Sequence, residues 1–182
     1  NSRLGNGLYD YVSLGDNEYP TEFKPSENDD PNSLDGFKYS PYGLYETAGT
    51  LNSSWGYKYY DQNWITPEEI VERKKRLNSL GVNYLLNVGP DALGRIPSFS
   101  VEALRKAEAK GIPTIIVTGN VVNYAYAAEV LIGCSGGLVA ENGGVVFKEG
   151  ENNNAVETMV ERDFVTSAEN HLKEKLGEKF DK

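Results

Sequence analysis

The stretch TPEEIVERKKRLNSLGVNYLLNVGP, residues 66–90, decides the fold. Thr66 has the character of a helix N-cap, Pro67 suits the first helical position, and Glu69, three residues after the cap, completes a capping box. Ile70, Val71, Leu77 and Leu80 recur at near-helical spacing, and Gly81 stops the run. Val82 to Val88 (VNYLLNV) is then apolar and of strand length, closed by Gly89-Pro90. A helix that passes at once into a buried strand is an α/β unit.

The same rhythm continues toward the C-terminus. Ser100 to Lys110 reads as a helix stopped by Gly111. Thr114 to Val117 (TIIV) is a β-branched run, the pattern of a strand buried on both faces. Thr118-Gly119-Asn120 is a turn, and Val121 to Ile132 is an Ala-rich helix. Leu138 to Ala140 and Val145 to Phe147 read as short strands around Asn142-Gly143, a strong tight-turn signal. Residues 148–154 read as a polar, mobile stretch and Phe164 to Phe180 as a closing helix that carries the only histidine, His171, on an exposed face.

Toward the N-terminus the chain is rich in loops and aromatic residues. Pro25, Pro31, Pro41, Asp29-Asp30 and Asp35-Gly36 mark residues 24–43 as a long surface loop. Tyr45 to Leu51 has the length of a strand, though Gly49 weakens it. Strands alternating with helices predict an α/β protein with a mostly parallel sheet and flanking helices. On such sheets ligands bind at the carboxyl ends of the strands. That directs attention to Asn87-Val88-Gly89-Pro90, Thr118-Gly119-Asn120 and Glu141-Asn142-Gly143, each of which also reads as a tight strand-to-helix turn.

Composition narrows the function. The 182 residues carry a net charge of -9 and a pI near 4.7, which suits a soluble surface and not the basic patch that neutralises nucleic-acid phosphates. The lone Cys134 forms no intrachain disulfide, and one Cys with one His builds no zinc site. No apolar run has the length of a membrane span, and no targeting signal is visible, which leaves the compartment open. The start at Asn1 points to an excised or engineered fragment.

Three separated segments carry a specific resemblance: NSRLGNGLYDYVSLGDN (1–17), YETAGTLNSSWGY (45–57) and VNYLLNVGPDALGRIP (82–97). In this order and spacing they resemble the later part of the catalytic barrel of glycoside hydrolase family 29, the α-L-fucosidases, over residues 1–100. The resemblance implies part of a (β/α)8 barrel with its site at the strand carboxyl ends. It also implies a retaining mechanism, which needs two carboxyl groups about 5–5.5 Å apart. By this resemblance Asp16 or Glu46 is the general acid/base, Arg3 lies beside L-fucose and Trp55 stacks on it. Read as bare residues, Asp16 is also a turn former, Glu46 a solvated strand residue, Arg3 a surface cation and Trp55 a core or pocket-wall residue. The family's nucleophilic Asp and its fucose-binding histidines lie on earlier strands and have no match in this sequence.

Residues 101–147 (VEALRKAEAKGIPTIIVTGNVVNYAYAAEVLIGCSGGLVAENGGVVF) resemble the haloacid dehalogenase-like phosphatases, most closely the archaeal-type phosphoglycolate phosphatases. The resemblance implies half of a Rossmann-like fold. It places Thr118 and Asn120 where a small phosphate ester is held by a hydroxyl and by the N-terminus of the next helix. An active member also needs an Asp-x-Asp and a metal loop holding Mg²⁺, and no Asp-x-Asp occurs in the chain. No other cofactor is expected. Residues 98–105 fit both families. The expectation is a chimera of two segments, 1–100 and 101–182, packed as one α/β unit without efficient catalysis. The alternatives are a fucosidase-like hydrolase or weak fucose binder, and a phosphohydrolase. A half-barrel leaves an edge strand and apolar surface open, so self-association is also expected.

Overall fold

The computed structural model describes residues 10–23, 40, 42–147, 156–158, 166, 167, 170, 171 and 173–175. The chain divides into two compact units, Asn1–Ile112 and Pro113–Lys182.

The first unit holds a three-stranded parallel sheet of β1 (Tyr11–Asp16), β2 (Leu44–Thr50) and β3 (Val82–Asn87), in the order β1-β2-β3. Helix α1 (Pro67–Ser79) connects β2 to β3, and α2 (Ser98–Glu108) follows β3. The start of α1 is the predicted capping box. Thr66 Oγ1 accepts from Glu69 N at 3.2 Å, and Glu69 Oε2 accepts from Thr66 N at 2.8 Å. Two of the helix's orphan donors are satisfied in this way. The apolar side of α1 then covers one face of the sheet, where Leu77 packs against Val12, Tyr45 and Val82, which are aligned in register on the three strands. Burying a side chain such as Leu77 contributes about 1.5–3 kcal/mol. Tyr19 extends this layer by an edge-on contact with Tyr84 and by lying under the guanidinium of Arg73, 4.5 Å from the ring centre.

Side chains alternate across a strand, so Ser13, Glu46 and Asn83, one position on from that row, belong to the opposite face. Tyr11, Leu44 and Leu85 share this face and are exposed.

The second unit holds β4 (Ile116–Val117), α3 (Val122–Ile132), β5 (Leu138–Ala140), β6 (Val145–Phe147) and β7 (Val156–Thr158). Its sheet order is β4-β5-β6-β7. Only the β4/β5 pair is parallel. Ala125, Leu138, Ala140 and Val145 form the core beneath α3, flanked by Ile116, Val122 and Phe147.

The architecture is therefore mixed α/β with one fully parallel sheet and flanking helices. Among the described residues the strands form two sheets, a point the sequence leaves open. Three differences from the sequence reading stand out. The second sheet is mixed and not mostly parallel: the short β5–β6 connection reverses the chain, and β6 pairs antiparallel with both β5 and β7. The TIIV run supplies only a two-residue strand and is not buried on both faces, for Ile115 and Val117 are exposed. Its physical reason is position: β4 is the end strand of its sheet and pairs only with β5. Helix α2 starts two residues earlier than expected and ends at Glu108, inside the first unit. The mobile-stretch reading of 148–154 and most of the 24–43 loop fall outside the described residues, while the described part of the closing segment, His171 included, is helical and exposed.

Candidate functional site

In a parallel sheet all strands end at one edge. In the first unit that edge gathers Asp16-Asn17 after β1, Thr50-Leu51 after β2 and Asn87-Val88 after β3. Asp16 is the last residue of β1, opposite Ala48, with a register irregularity between Ser13 and Asp16. It is exposed. The next residue, Asn17, is the organising group. Its backbone is left-handed, φ 57°, a conformation Asn tolerates better than most residues. Its N–H donates to Ala48 O at 2.7 Å, and its Oδ1 accepts from Thr50 N at 3.0 Å and from the Tyr19 hydroxyl at 2.9 Å. The ends of β1 and β2 are thereby tied side by side. The Gly15-Asp16-Asn17 turn signature was the only sequence signal for it.

Glu46 lies away from this edge. It is the third residue of β2, in register with Ser13 and Asn83, on the face opposite α1. Partial burial pushes its carboxyl above the usual carboxylate range. That direction suits a group that must hold a proton near neutral pH. Arg3 lies outside the described residues.

Trp55 sits in the loop between β2 and α1, with its side chain exposed. Its main chain is gripped from β3, where Asn87 Nδ2 donates to Trp55 O at 2.7 Å. Asp61 fixes the loop itself. It is 9% exposed, and its carboxylate accepts from Ser53 N at 2.9 Å and from Asn63 N at 3.2 Å. Asn87 is marked in the sequence only as part of the Asn87-Val88-Gly89-Pro90 strand end, and Asp61 does not stand out there at all.

In the second unit the two expected turns meet. Thr118 N–H donates to Val139 O at 2.9 Å, and Thr118 Oγ1 accepts from Asn120 N at 3.1 Å. Glu141 N–H donates to Asn120 O at 3.0 Å. Thr118 and Asn120 are thus brought together at the parallel end of β4 and β5, ahead of α3. Among the described residues no cluster of three or more His, Cys, Asp or Glu is placed to hold a metal ion, and no helix is long and apolar enough to cross a membrane.

The first unit is thus a parallel α/β unit with one exposed carboxylate, Asp16, at a strand end and one exposed indole, Trp55, in the loop tied to the end of β3. The family model described as alpha-L-fucosidase matches residues 3–109, and the chain belongs to the alpha-L-fucosidase family over that stretch. Among solved structures, the alpha-L-fucosidase AlfC from Lactobacillus casei, in complex with its alpha-L-fucose product, is 54% identical, covering 60% of this chain and 29% of that one, with a TM-score of 0.48. Alpha-L-fucosidase isoenzyme 1 from Paenibacillus thiaminolyticus is 30% identical over 56% of this chain and 21% of that one, with a TM-score of 0.43.

The chain also resembles a second group. Phosphoglycolate phosphatase from Methanobrevibacter smithii is 64% identical over 83 residues, 46% of this chain and 36% of the relative. The enzyme of the same description from Methanothermobacter thermautotrophicus is 55% identical over 56 residues, 31% of this chain and 25% of the relative. The chain therefore spans about a third of the length of either kind of relative. Only residues 1–2 and 110–182 lie outside the fucosidase match, so the 83-residue likeness must overlap it. The two ancestries share part of the chain, which is consistent with a chimera.

Proposed function

We propose that these 182 residues are a chimera, half of a (β/α)8 barrel joined to half of a Rossmann-like haloacid dehalogenase fold, that catalyses neither parent reaction efficiently. One observation carries this: two likenesses, each about a third of its relatives' length, overlap within one chain. Neither segment assembles the groups its resemblance calls for. The fucosidase-like segment has Asp16 or Glu46 as acid/base but no matched nucleophile. The phosphatase-like segment has Thr118 and Asn120 but no Asp-x-Asp to carry the phosphoryl group or hold Mg²⁺. Release of nitrophenol from an α-L-fucoside is the test. Turnover above background that is lost in Asp16→Asn or Glu46→Gln would overturn the reading.

A second reading, weak binding of L-fucose by the first unit, is favoured by the exposed Trp55 at the strand-end edge. An indole face suits the apolar side of a sugar ring, with Asp16, Glu46 and Arg3 as polar partners. Isothermal titration at millimolar L-fucose checks it, and absence of heat ends it. A small phosphate ester at Thr118 and Asn120 is the corresponding proposal for the second unit. Mg²⁺-dependent phosphate release that vanishes in Thr118→Ala supports it, and phosphate release without that dependence removes it.

A further inference from the structure

We infer that Asp61 and Asn87 are positioning residues that hold the Trp55 platform in place from two sides, so that the indole is presented to a sugar in a fixed pose. The sugar-binding part of this inference rests on the fucose-binding reading above; the positioning part does not.

The loop between β2 and α1 is closed at its base by Ile65 N–H donating to Leu51 O at 2.9 Å. Inside that closure the polar groups point inward to one carboxylate. Asp61 Oδ2 accepts from Ser53 N at 2.9 Å, and Oδ1 accepts from Asn63 N at 3.2 Å. Its own N–H donates to Lys58 O at 3.0 Å. Ser54 Oγ lies 2.7 Å from Gly56 O and 3.4 Å from Asp61 Oδ2. A hydroxyl has one proton, so the nearer carbonyl takes it and the carboxylate is the weaker competitor. Asn63 Nδ2 donates to Ser53 Oγ at 3.1 Å, which locks the two arms of the loop together. Residues 53, 54 and 56, on either side of Trp55, are therefore held by side chains of the loop itself.

The other side of the hold comes from β3. Asn87 Nδ2 donates to Trp55 O at 2.7 Å. Two residues on, Gly89 lies flat against the loop, and a Cβ there would come within 2.9 Å of Tyr57 N and 3.1 Å of Trp55 O. The backbone of Trp55 is thus clamped between Asp61's network and the end of β3, while its side chain stays 43% exposed. A buried carboxylate that accepts from backbone amides removes conformational freedom before a ligand arrives, which is how a preorganised site gains affinity.

The test uses the full chain carrying Trp64→Phe, in which Trp55 is the sole tryptophan. Its fluorescence anisotropy and acrylamide quenching report the pose directly, without any sugar. Asp61→Ala and Asn87→Ala are expected to lower the anisotropy and raise the quenching, with Asp61→Asn, which keeps one acceptor oxygen, recovering part of the loss. Unchanged anisotropy and quenching in Asn87→Ala and Asp61→Asn overturn the inference, including the case where Asp61→Ala fails to fold by circular dichroism. Titration with L-fucose then separates the two readings. Binding weakened about tenfold in Asn87→Ala, as expected for a lost preorganising contact, supports both. No binding in the parent sinks the sugar reading, while the fluorescence result still decides the positioning role.

Discussion

Glu141 caps a helix nineteen residues away from it: its Oε1 accepts from Val122 N at 3.4 Å, at the first turn of α3. The N-cap residue of α3 is Val121, which has no side-chain acceptor to offer. Glu141 supplies one from the β5–β6 connection while holding a left-handed backbone, φ 54°. A carboxylate is well placed at the positive end of a helix dipole. Glu141→Ala is expected to lower stability by about 1 kcal/mol, the usual cost of a lost cap. Urea denaturation checks this, and an unchanged midpoint refutes it.

Gly119 and Asn142 form a steric pair. A Cβ at Gly119 would meet Asn142 Oδ1 at 2.6 Å. The atom met is the end of an exposed side chain that can turn aside, so Gly119→Ala should destabilise by about 0.5–1 kcal/mol, below the range for overpacking a core. Asn142 is itself left-handed, φ 56°, a backbone that glycine adopts freely. The double variant Gly119→Ala with Asn142→Gly should recover most of the loss. Additive effects in the double-mutant cycle would refute the coupling.

Glu46 gives stability a pH dependence of definite sign. Burial raises its folded pKa above the ordinary value of 4.5. Below 4.5 the carboxyl is neutral in both states and costs nothing. As pH rises from 4.5 through the folded value, ionisation increasingly favours the unfolded chain. Glu46→Gln should therefore raise the melting temperature at pH 7 and leave it nearly unchanged at pH 4. A gain of equal size at both values would assign the effect to something other than charge.

Glu69 has the opposite sign. Its hydrogen bonds from the Thr66 backbone and hydroxyl hold its carboxyl below 4.5, against a smaller opposing effect of desolvation. The stabilisation is present above 4.5 and is lost as pH falls through the lower folded value. Thr66→Ala should remove about 1 kcal/mol at neutral pH and less once Glu69 is protonated. Melting curves at pH 7 and pH 3 distinguish the two.

Self-association is expected through the sheet face opposite α1, where Leu44 and Leu85 are 47% and 43% exposed. Sedimentation velocity should show a concentration-dependent dimer or larger species, and the pair Leu44→Lys and Leu85→Lys should dissolve it. A monomer at all concentrations would end the proposal.

The capping box at Thr66, the strand after it and the α3 helix were legible because they rest on local chemistry: a cap, a stop and a period. Gly49 counted against β2 in sequence, yet it lies within the strand because the Tyr19 hydroxyl occupies the space its Cβ would fill. The TIIV run misled because β-branched composition reports strand preference but not how many neighbours a strand has. Asp16, Trp55, Thr118 and Asn120 were proposed through motifs that name particular side chains in turns and loops. Asn17 and Asp61 were missed, and Asn87 was marked only as part of a strand end, because Asn17 and Asn87 act on backbone atoms more than thirty residues away, Thr50 and Trp55, and Asp61 ties its near neighbour Asn63 to Ser53 across the loop. No local pattern encodes the distant partners.

Among the described residues each sheet finds its pairing partners on one side of Ile112, and α2 ends before β4 begins. During synthesis the described strands and helices of the first unit therefore leave the ribosome before those of the second. Among the described residues, no strand of the first sheet takes its partner from the segment that emerges later. That order of emergence lets the two units be made in succession without competing for each other's strand edges.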